Sequence, residues 1–419
     1  MFAFQSEPTA APLIWKLQGP AIVGDTDDSE FGYSLALSKY NNTLVIGARG
    51  HNNSTGYVAV YRISENGGNR TQLGKTIYGD TTHDNFGGSV DITADGTTII
   101  CGSQGWWDQT TKPGYVRVFS LEIGDDLAGD SWKQIGQDIT GEAIGDEFGR
   151  SVSISHDGKT IVVGANYNDG ANGKDSGHVR IFRLDDEGSS WEQIGQDIDG
   201  DMAGVESGFS VSLSGNGENV VIGGDPCGQI GDIWTGQVKV FRIDSAGSSW
   251  EPLGESIFGD DAGDVFGWSV DITPDGNTVA IGSQTNDGND GPGYVKVFSL
   301  ESSANLGTST WKQIGENIIG ESTFDFFGRS ISLSDDGKTL AVGAKYNEGN
   351  GINSGHVRVY RMDADSESGW MQIGDDIDGE EEGDYSGYSV SLSADGNTVA
   401  IGSPSYDSPP GHVRVFVLE

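Results

Sequence analysis

Residues 132–184 read WKQIGQDITGEAIGDEFGRSVSISHDGKTIVVGANYNDGANGKDSGHVRIFRL. From the left come a tryptophan with a short Q-I-G strand, the acidic loop GEAIGDE, and the alternating strand FGRSVSIS at 148–155. A turn, HDGK, precedes the apolar run TIVVGA at 160–165; after a further loop comes GHVRIFRL at 177–184. The Asp-Gly pair tolerates the left-handed backbone that a short hairpin needs. Equivalent turns carry Asp95-Gly96, Asp275-Gly276, Asp336-Gly337 and Asp395-Gly396. Four strands joined by hairpin-length links predict one antiparallel sheet.

The unit recurs along the chain. Its tryptophan returns at Trp15, Trp132, Trp191, Trp250, Trp311 and Trp370, and Arg70 holds the place in the remaining copy. Successive spacings are 55, 62, 59, 59, 61 and 59 residues, so seven copies fill residues 15–419 as one domain and leave 1–14 as a tail. Such a sheet has two faces to bury, and packing sheets around an axis buries both while protecting their edges. The prediction is an all-β, seven-bladed β-propeller of four-stranded antiparallel blades. A repeated barrel or an open solenoid is the alternative. The chain opens on a tryptophan strand and ends, at GHVRVFVL (411–418), on the third strand of a copy. With the tryptophan strand outermost, Trp15–Gly19 completes the last blade and latches the ring. A longer period overlies the first: WKQIGQDITGE and GYVRVFSLE return as WKQIGENIIGE and GYVKVFSLE at an offset of 179 residues.

Composition agrees. The 66 glycines against 11 prolines indicate many tight turns rather than a proline-rich segment. With 24 basic and 63 acidic residues the chain carries −39, which repels nucleic acid and anionic lipid and favours cations, basic protein patches and solubility. Two cysteines, Cys101 and Cys227, make no disulfide framework, and Cys101 reads as a buried thiol. No apolar run has the length of a membrane span, and MFAFQSEPTAAP lacks the pattern of a signal peptide.

The FG-x-S-V, V-x-x-G-[AS] and G-x-V-x-V-[FY] strands resemble the FG-GAP repeats of integrin α-subunit propellers, in all seven copies. The DG-[KNT]-T-[VIL] hairpin is similar to that of WD40 blades. The resemblance implies a propeller and leaves function open. Integrin propellers bind calcium in D-x-D-x-D-G hairpins; here those shrink to SHDGK, SDDGK and SVDITADGT, too short to carry that site over.

Two loop sets share one face of such a propeller: those entering the innermost strands and those between the second and third strands. Every entering loop has an acidic residue, at Asp25, Asp80, Glu142, Asp201, Asp260, Glu321 and Glu380. Five are followed four positions on by Asp84, Asp146, Asp264, Asp325 and Asp384. These twelve carboxylates could hold calcium, the one candidate cofactor, or attract a basic partner. Alternatively each accepts N–H bonds within its own loop. Just after each F-G or S-G pair stand Tyr33, Gly88, Arg150, Phe209, Trp268, Arg329 and Tyr388, expected at the mouth of the central channel. The integrin resemblance implies an aromatic cage there for a basic side chain of a partner, which suits cation–π attraction. Arg150 and Arg329 run against it and suggest a mixed site; interblade packing is the other reading. Trp106, Trp107, Tyr167, Trp234, Tyr346 and Tyr406 lie on variable loops of the same face, where sugar rings could stack on Trp106 or Trp234.

Signs of catalysis are poor. His178, His356 and His412 belong to the repeated G-H-V-R strand and read as structural; His51, His83 and His156 form no metal-ligand spacing. No nucleophile elbow, P-loop or zinc motif occurs, and no carboxylate pair stands out for glycoside hydrolysis. The sequence therefore reads as a binding protein rather than an enzyme. Sequons at Asn41, Asn52, Asn53 and Asn69 lean toward an extracellular or cell-surface place. The expected partner is a protein or glycan on the loop face, with no nucleic acid and no membrane insertion. A self-assembling structural repeat is the second reading, and an enzyme acting on polysaccharide the third.

Overall fold

A computed structural model describes the whole chain except residues 1–11, 65–69, 106–111, 125–128, 225–234, 262, 285–290, 303–308, 364–365, 367 and 406–409. Trp106, Trp107, Trp234, Tyr406, Asn69 and Cys227 thus lie outside the described residues.

Seven antiparallel sheets form the ring. The innermost strands are Phe31–Leu37, Phe86–Ile92, Ser151–Ile154, Ser207–Leu213, Phe266–Ile272, Phe327–Leu333 and Ser389–Leu392, and they number blades 1 to 7. Each pairs outward with a second and a third strand, and the third carries an outer strand that is broken into two short pieces. In blade 3 these are Thr160–Ala165, His178–Leu184, then Trp191–Gln193 and Ile198–Asp199. Second strands are buried throughout except at the first residue of three of them, Thr98, Thr278 and Thr398. Apolar clusters form between blades: Ile100, Val116 and Val118 of blade 2 pack with Val152, Ile161, Phe182 and Trp191 of blade 3. One sheet alone would leave those faces wet.

The repeated letters are interblade fasteners. In every F-G or S-G pair the glycine takes φ between 82° and 100°, which a β-carbon would resist. A β-carbon on Gly87 would also lie 2.6 Å from the Tyr57 carbonyl of the preceding blade. That glycine's carbonyl receives a hydrogen bond from the F-G-x-S serine of the preceding blade. The bonds run Ser34 to Gly87, Ser89 to Gly149, Ser151 to Gly208, Ser210 to Gly267, Ser269 to Gly328, Ser330 to Gly387 and Ser389 to Gly32, all 2.7–2.8 Å. The last joins blade 7 to blade 1, so the hydrogen-bonded ring closes.

The tryptophans fasten the rim. Each indole Nε1–H donates to the carbonyl just before the glycine of the preceding outer strand: Trp132 to Leu73, Trp191 to Ile135, Trp250 to Ile194, Trp311 to Leu253, Trp370 to Ile314 and Trp15 to Ile373, at 2.7–3.0 Å. At the seventh junction the Arg70 guanidinium donates to the Gln18 carbonyl, which is why arginine can stand in the tryptophan's place. The N-terminal strand pairs as the repeat phase requires, Trp15 with Leu418, Lys16 with Val417 and Leu17 with Phe416.

Candidate functional site

The entering loops are held from within. Asp84, Asp146, Asp264, Asp325 and Asp384 are buried. Asp84 Oδ2 accepts the backbone N–H groups of Asp80 and Thr81 at 3.0 and 2.9 Å and the Tyr115 hydroxyl at 3.0 Å. Asp264 and Asp384 accept pairs of N–H groups in the same way, Asp146 accepts from Ala143 N and Asn168, and Asp325 from Asn347.

The outer acids meet a cation on their own blade's third strand, which explains the basic residue of G-x-V-[RK]. Arg117 grips Asp80 at 2.7 Å and Asp138 at 2.8 Å. Lys239 meets Asp201, Lys296 meets Asp260 at 2.5 Å, and Arg358 meets Glu321 and Asp376. Arg180 and Arg414 lie 3.9 Å from Glu142 and Glu380. Blade 1 has Ala59 at this place, and Asp25 meets His51 at 3.3 Å instead. Two triads have metal-ligand proximity, Glu142–His178–Asp197 and Glu321–His356–Asp376. In the second, Arg358 binds both acids, and burial, with Arg358 alongside, holds the His356 imidazole down at about 4, hence neutral. The twelve carboxylates therefore spend much of their capacity inside the fold.

The mouth residues form an interrupted ring. Arg150 lies 4.3 Å over the Phe209 ring, Phe209 packs on Trp268 at 4.5 Å, and Arg329 bridges Trp268 and Tyr388 at 5.0 and 4.4 Å. Tyr388 packs on Tyr33 at 4.8 Å, and Arg49 covers Tyr33 at 3.6 Å while pairing with Glu30 at 2.7 Å. The chain's own guanidinium groups thus cover aromatic faces that the sequence reading offered to a partner's basic side chain. Only Gly88, in blade 2, contributes no side chain to this tier. Arg49 and Lys345 escaped the sequence reading because they sit one residue beyond the second strand and look like ordinary loop residues. Burial pushes the Lys345 amine down to about 7, helped by Arg329 and Arg49. Burial pushes the Tyr33 hydroxyl up, but Arg49, Arg150 and Arg329 outweigh it and leave it at about 8.

Beside the mouth, on the loop face of blade 6, an open groove of about 870 Å³ is lined by Phe324, Phe326, Tyr346 and Tyr385, with Glu321, Asp325, Asn347 and Glu348 among its polar groups. Tyr346 meets Phe326 at 4.8 Å and Tyr385 at 5.7 Å, both edge-on. Phe324 is 62% exposed at φ 67°, a conformation costly for a bulky residue. Asn347 Nδ2 donates to Glu321 Oε1 and Asp325 Oδ2, each at 2.9 Å. Burial pushes the Asp325 carboxyl up; burial also raises Glu321, but Asn347 and Arg358 outweigh it and hold Glu321 down. Blade 3 has a smaller counterpart of about 480 Å³ lined by Ile144, Asp146, Tyr167, Asp169 and Lys174. Of the groove's aromatics, sequence pointed only to Tyr346; Phe324 and Phe326 replace Gly145 and Glu147 of the blade 3 copy.

No curated protein matches the chain by sequence. Among solved structures, Kuenenia stuttgartiensis hydrazine synthase is similar with a TM-score of 0.55 and 16% identity, over 95% of this chain and 98% of that one. A putative 6-phosphogluconolactonase from Bacteroides uniformis gives a TM-score of 0.56 and 15% identity, over 83% and 85%. A periplasmic gluconolactonase from Pseudomonas aeruginosa gives 0.53 and 16%, also over 83% and 85%. At such identities the likeness establishes the fold alone. It does overturn one expectation, that this chain is no enzyme: propellers of this shape include lactonases, and a lack of sequence motifs does not exclude chemistry. The FG-GAP repeat family matches residues 141–182 and 320–360, the equivalent stretches of blades 3 and 6. The chain is a seven-bladed β-propeller in which blades 3 and 6 match the FG-GAP repeat.

Proposed function

We propose that this propeller recognises a carbohydrate outside the cell or at its surface, in the blade 6 groove of its loop face. The observation that carries this reading is the grouping of Phe324, Phe326, Tyr346 and Tyr385 in one open groove with amide and carboxylate groups among them. Sugar rings offer apolar faces to stack on aromatic rings and hydroxyls for polar groups to bind, and few convergent polar groups suffice for orientation. An exposed aromatic held at an unfavourable backbone angle, as Phe324 is, suits a recognition surface better than packing. Sequons at Asn41, Asn52 and Asn53 support the extracellular placement.

A second reading, hydrolysis of the bound sugar or of a sugar lactone, is favoured by one observation. Asp325 and Glu321 share the Asn347 amide, yet their environments push one carboxyl up and the other down, the pattern that separates a general acid from a base. A glycan array run with and without calcium, on the native chain and on Phe324→Ala, tests the first reading. A saccharide retained by the native chain and lost by the variant supports it; a blank array, or equal retention by both, refutes it. Acid release from gluconolactone, followed at constant pH with Asp325→Asn as control, tests the second.

A further inference from the structure

The ring of side chains at the channel mouth has a gap in blade 2. Seven equivalent positions ring the mouth. In blades 1 and 3–7 they carry Tyr33, Arg150, Phe209, Trp268, Arg329 and Tyr388; in blade 2 the position is Gly88. The contacts already described run from Arg150 round to Arg49 and stop on either side of this glycine. Gly88 is not held at a positive φ, so the backbone does not require glycine there. A β-carbon on it would have its nearest neighbour, the Asn85 carbonyl, at 3.1 Å and the Gln104 Oε1 at 3.8 Å.

Two side chains of the same blade, Gln104 beside Gly88 and Asn85 three residues before it, are buried with unmet polar atoms. Asn85 is 1% exposed and its Nδ2 donor has no acceptor; Gln104 is 8% exposed and its Oε1 has no donor. A buried amide left unmet costs about 1–3 kcal/mol, which a bound ligand would recover. The flanking blades supply the charge. Among the described residues Arg150 forms no ion pair, and Arg49 pairs with the single carboxylate of Glu30 while donating to the Tyr33 hydroxyl at 2.6 Å. Glu147 is the other carboxyl facing these arginines, and burial pushes it up, toward its neutral form. Burial alone would raise the Tyr33 hydroxyl, yet Arg49, Arg150 and Arg329 lower it, which reports positive charge here inside a chain whose net charge is −39.

We infer that the gap at Gly88 binds a small oxyanion, a phosphate or carboxylate group of a free small molecule, between Arg150 and Arg49 and against the Asn85 and Gln104 amides. The Asn85 and Gln104 side chains are themselves buried, so the position suits a single small group rather than a protein surface. The Gln104 amide can turn to present its N–H₂ to the anion, since its two ends have nearly the same shape. This site does not depend on the carbohydrate groove.

The test is thermal unfolding and calorimetry of the full chain with inorganic phosphate, with acetate, and with potassium chloride at matched ionic strength. Phosphate or acetate should raise the melting temperature and chloride should not. A response to phosphate alone assigns the ligand as a phosphate; a response to both leaves a general oxyanion site. Gly88→Phe, which fills the gap with a residue that blade 4 already accepts, should abolish binding. Arg150→Gln, which keeps the gap but removes a charge-assisted bond, should weaken it roughly tenfold. Phe324→Ala should bind as the native chain does, which separates this site from the groove. Equal stabilisation by chloride, no response to either anion, or undiminished binding by folded Gly88→Phe or Arg150→Gln would overturn the inference.

Discussion

Deletion of residues 1–19 removes the first piece of the outer strand of blade 7, Trp15–Leu17, and should weaken the whole ring. The lost contacts are specific. Ile14 and Glu419 exchange two backbone hydrogen bonds at 3.1 and 3.0 Å, and Gln18 N donates to Val415 O at 2.8 Å. The Trp15 indole donates to Ile373 O at 2.9 Å, and Arg70 loses its acceptor on Gln18. These five bonds are worth roughly 1 kcal/mol each. The half-buried Trp15 adds about 1 kcal/mol of apolar burial. A loss near 6 kcal/mol, against an unfolding entropy of about 2.1 cal/mol/K per residue, corresponds to a fall of about 7 °C in melting temperature. Differential scanning calorimetry would measure it. Trp15→Phe, which keeps the ring but not the indole N–H, should fall by only about 1–2 °C. If the 1–19 deletion unfolds at the native temperature, the latch contributes nothing and the closure argument fails.

Three further outcomes follow from the same contacts. Trp191→Phe leaves the Ile135 carbonyl without its 3.0 Å partner and should cost about 1–3 kcal/mol in urea unfolding; an unchanged midpoint would show that the indole bond is incidental. Because the entering-loop acids already face Arg117, Arg180, Lys239, Lys296, Arg358 and Arg414, millimolar calcium or a chelator should move the melting temperature by less than about 1 °C; a large calcium-dependent rise would show that the ion displaces these pairs. Burial holds the Asp91 carboxyl, clasped to blade 3 through Ile154 N and Ser153, up at about 6. The folded state then binds its proton more tightly than the unfolded chain, whose aspartates titrate near 3.9. Stability conferred by that proton is present below about pH 4 and is lost as pH rises through 6, on the order of 3 kcal/mol. Asp91→Asn should flatten that decline, and an equal decline in the variant would assign it to other groups.

The fold was legible because its fasteners are local and repeat. A serine and a glycine at fixed places in F-G-x-S make the same hydrogen bond at every junction, so the letters recur with the geometry. The Asp-Gly hairpin recurs likewise, with Asp95 Oδ1 accepting from Thr93 and Thr97 within the turn. Arg70 was recognisable as an oddity by its phase, but its hydrogen bond across the closing junction is a three-dimensional fact. The candidate sites were harder to read, because a site breaks the repeat. Phe324 and Phe326 are departures from Gly145 and Glu147 of the duplicate blade, and comparison at the 179-residue offset could have exposed them. The residues after the F-G and S-G pairs do touch one another round the ring, yet their chemistry depends on Arg49 and Lys345, which reach it from other loops. Sequence spacing does not reveal that convergence.

The most direct measurement is a crystal structure of the chain soaked with the saccharide that the array retains. The account predicts a sugar ring against Phe324 or Tyr346 in the blade 6 groove, with its hydroxyls bonded to groups such as Asn347, Glu348 or Asp325. A sugar bound away from that groove, on the rim or at the opposite end of the channel, would contradict it.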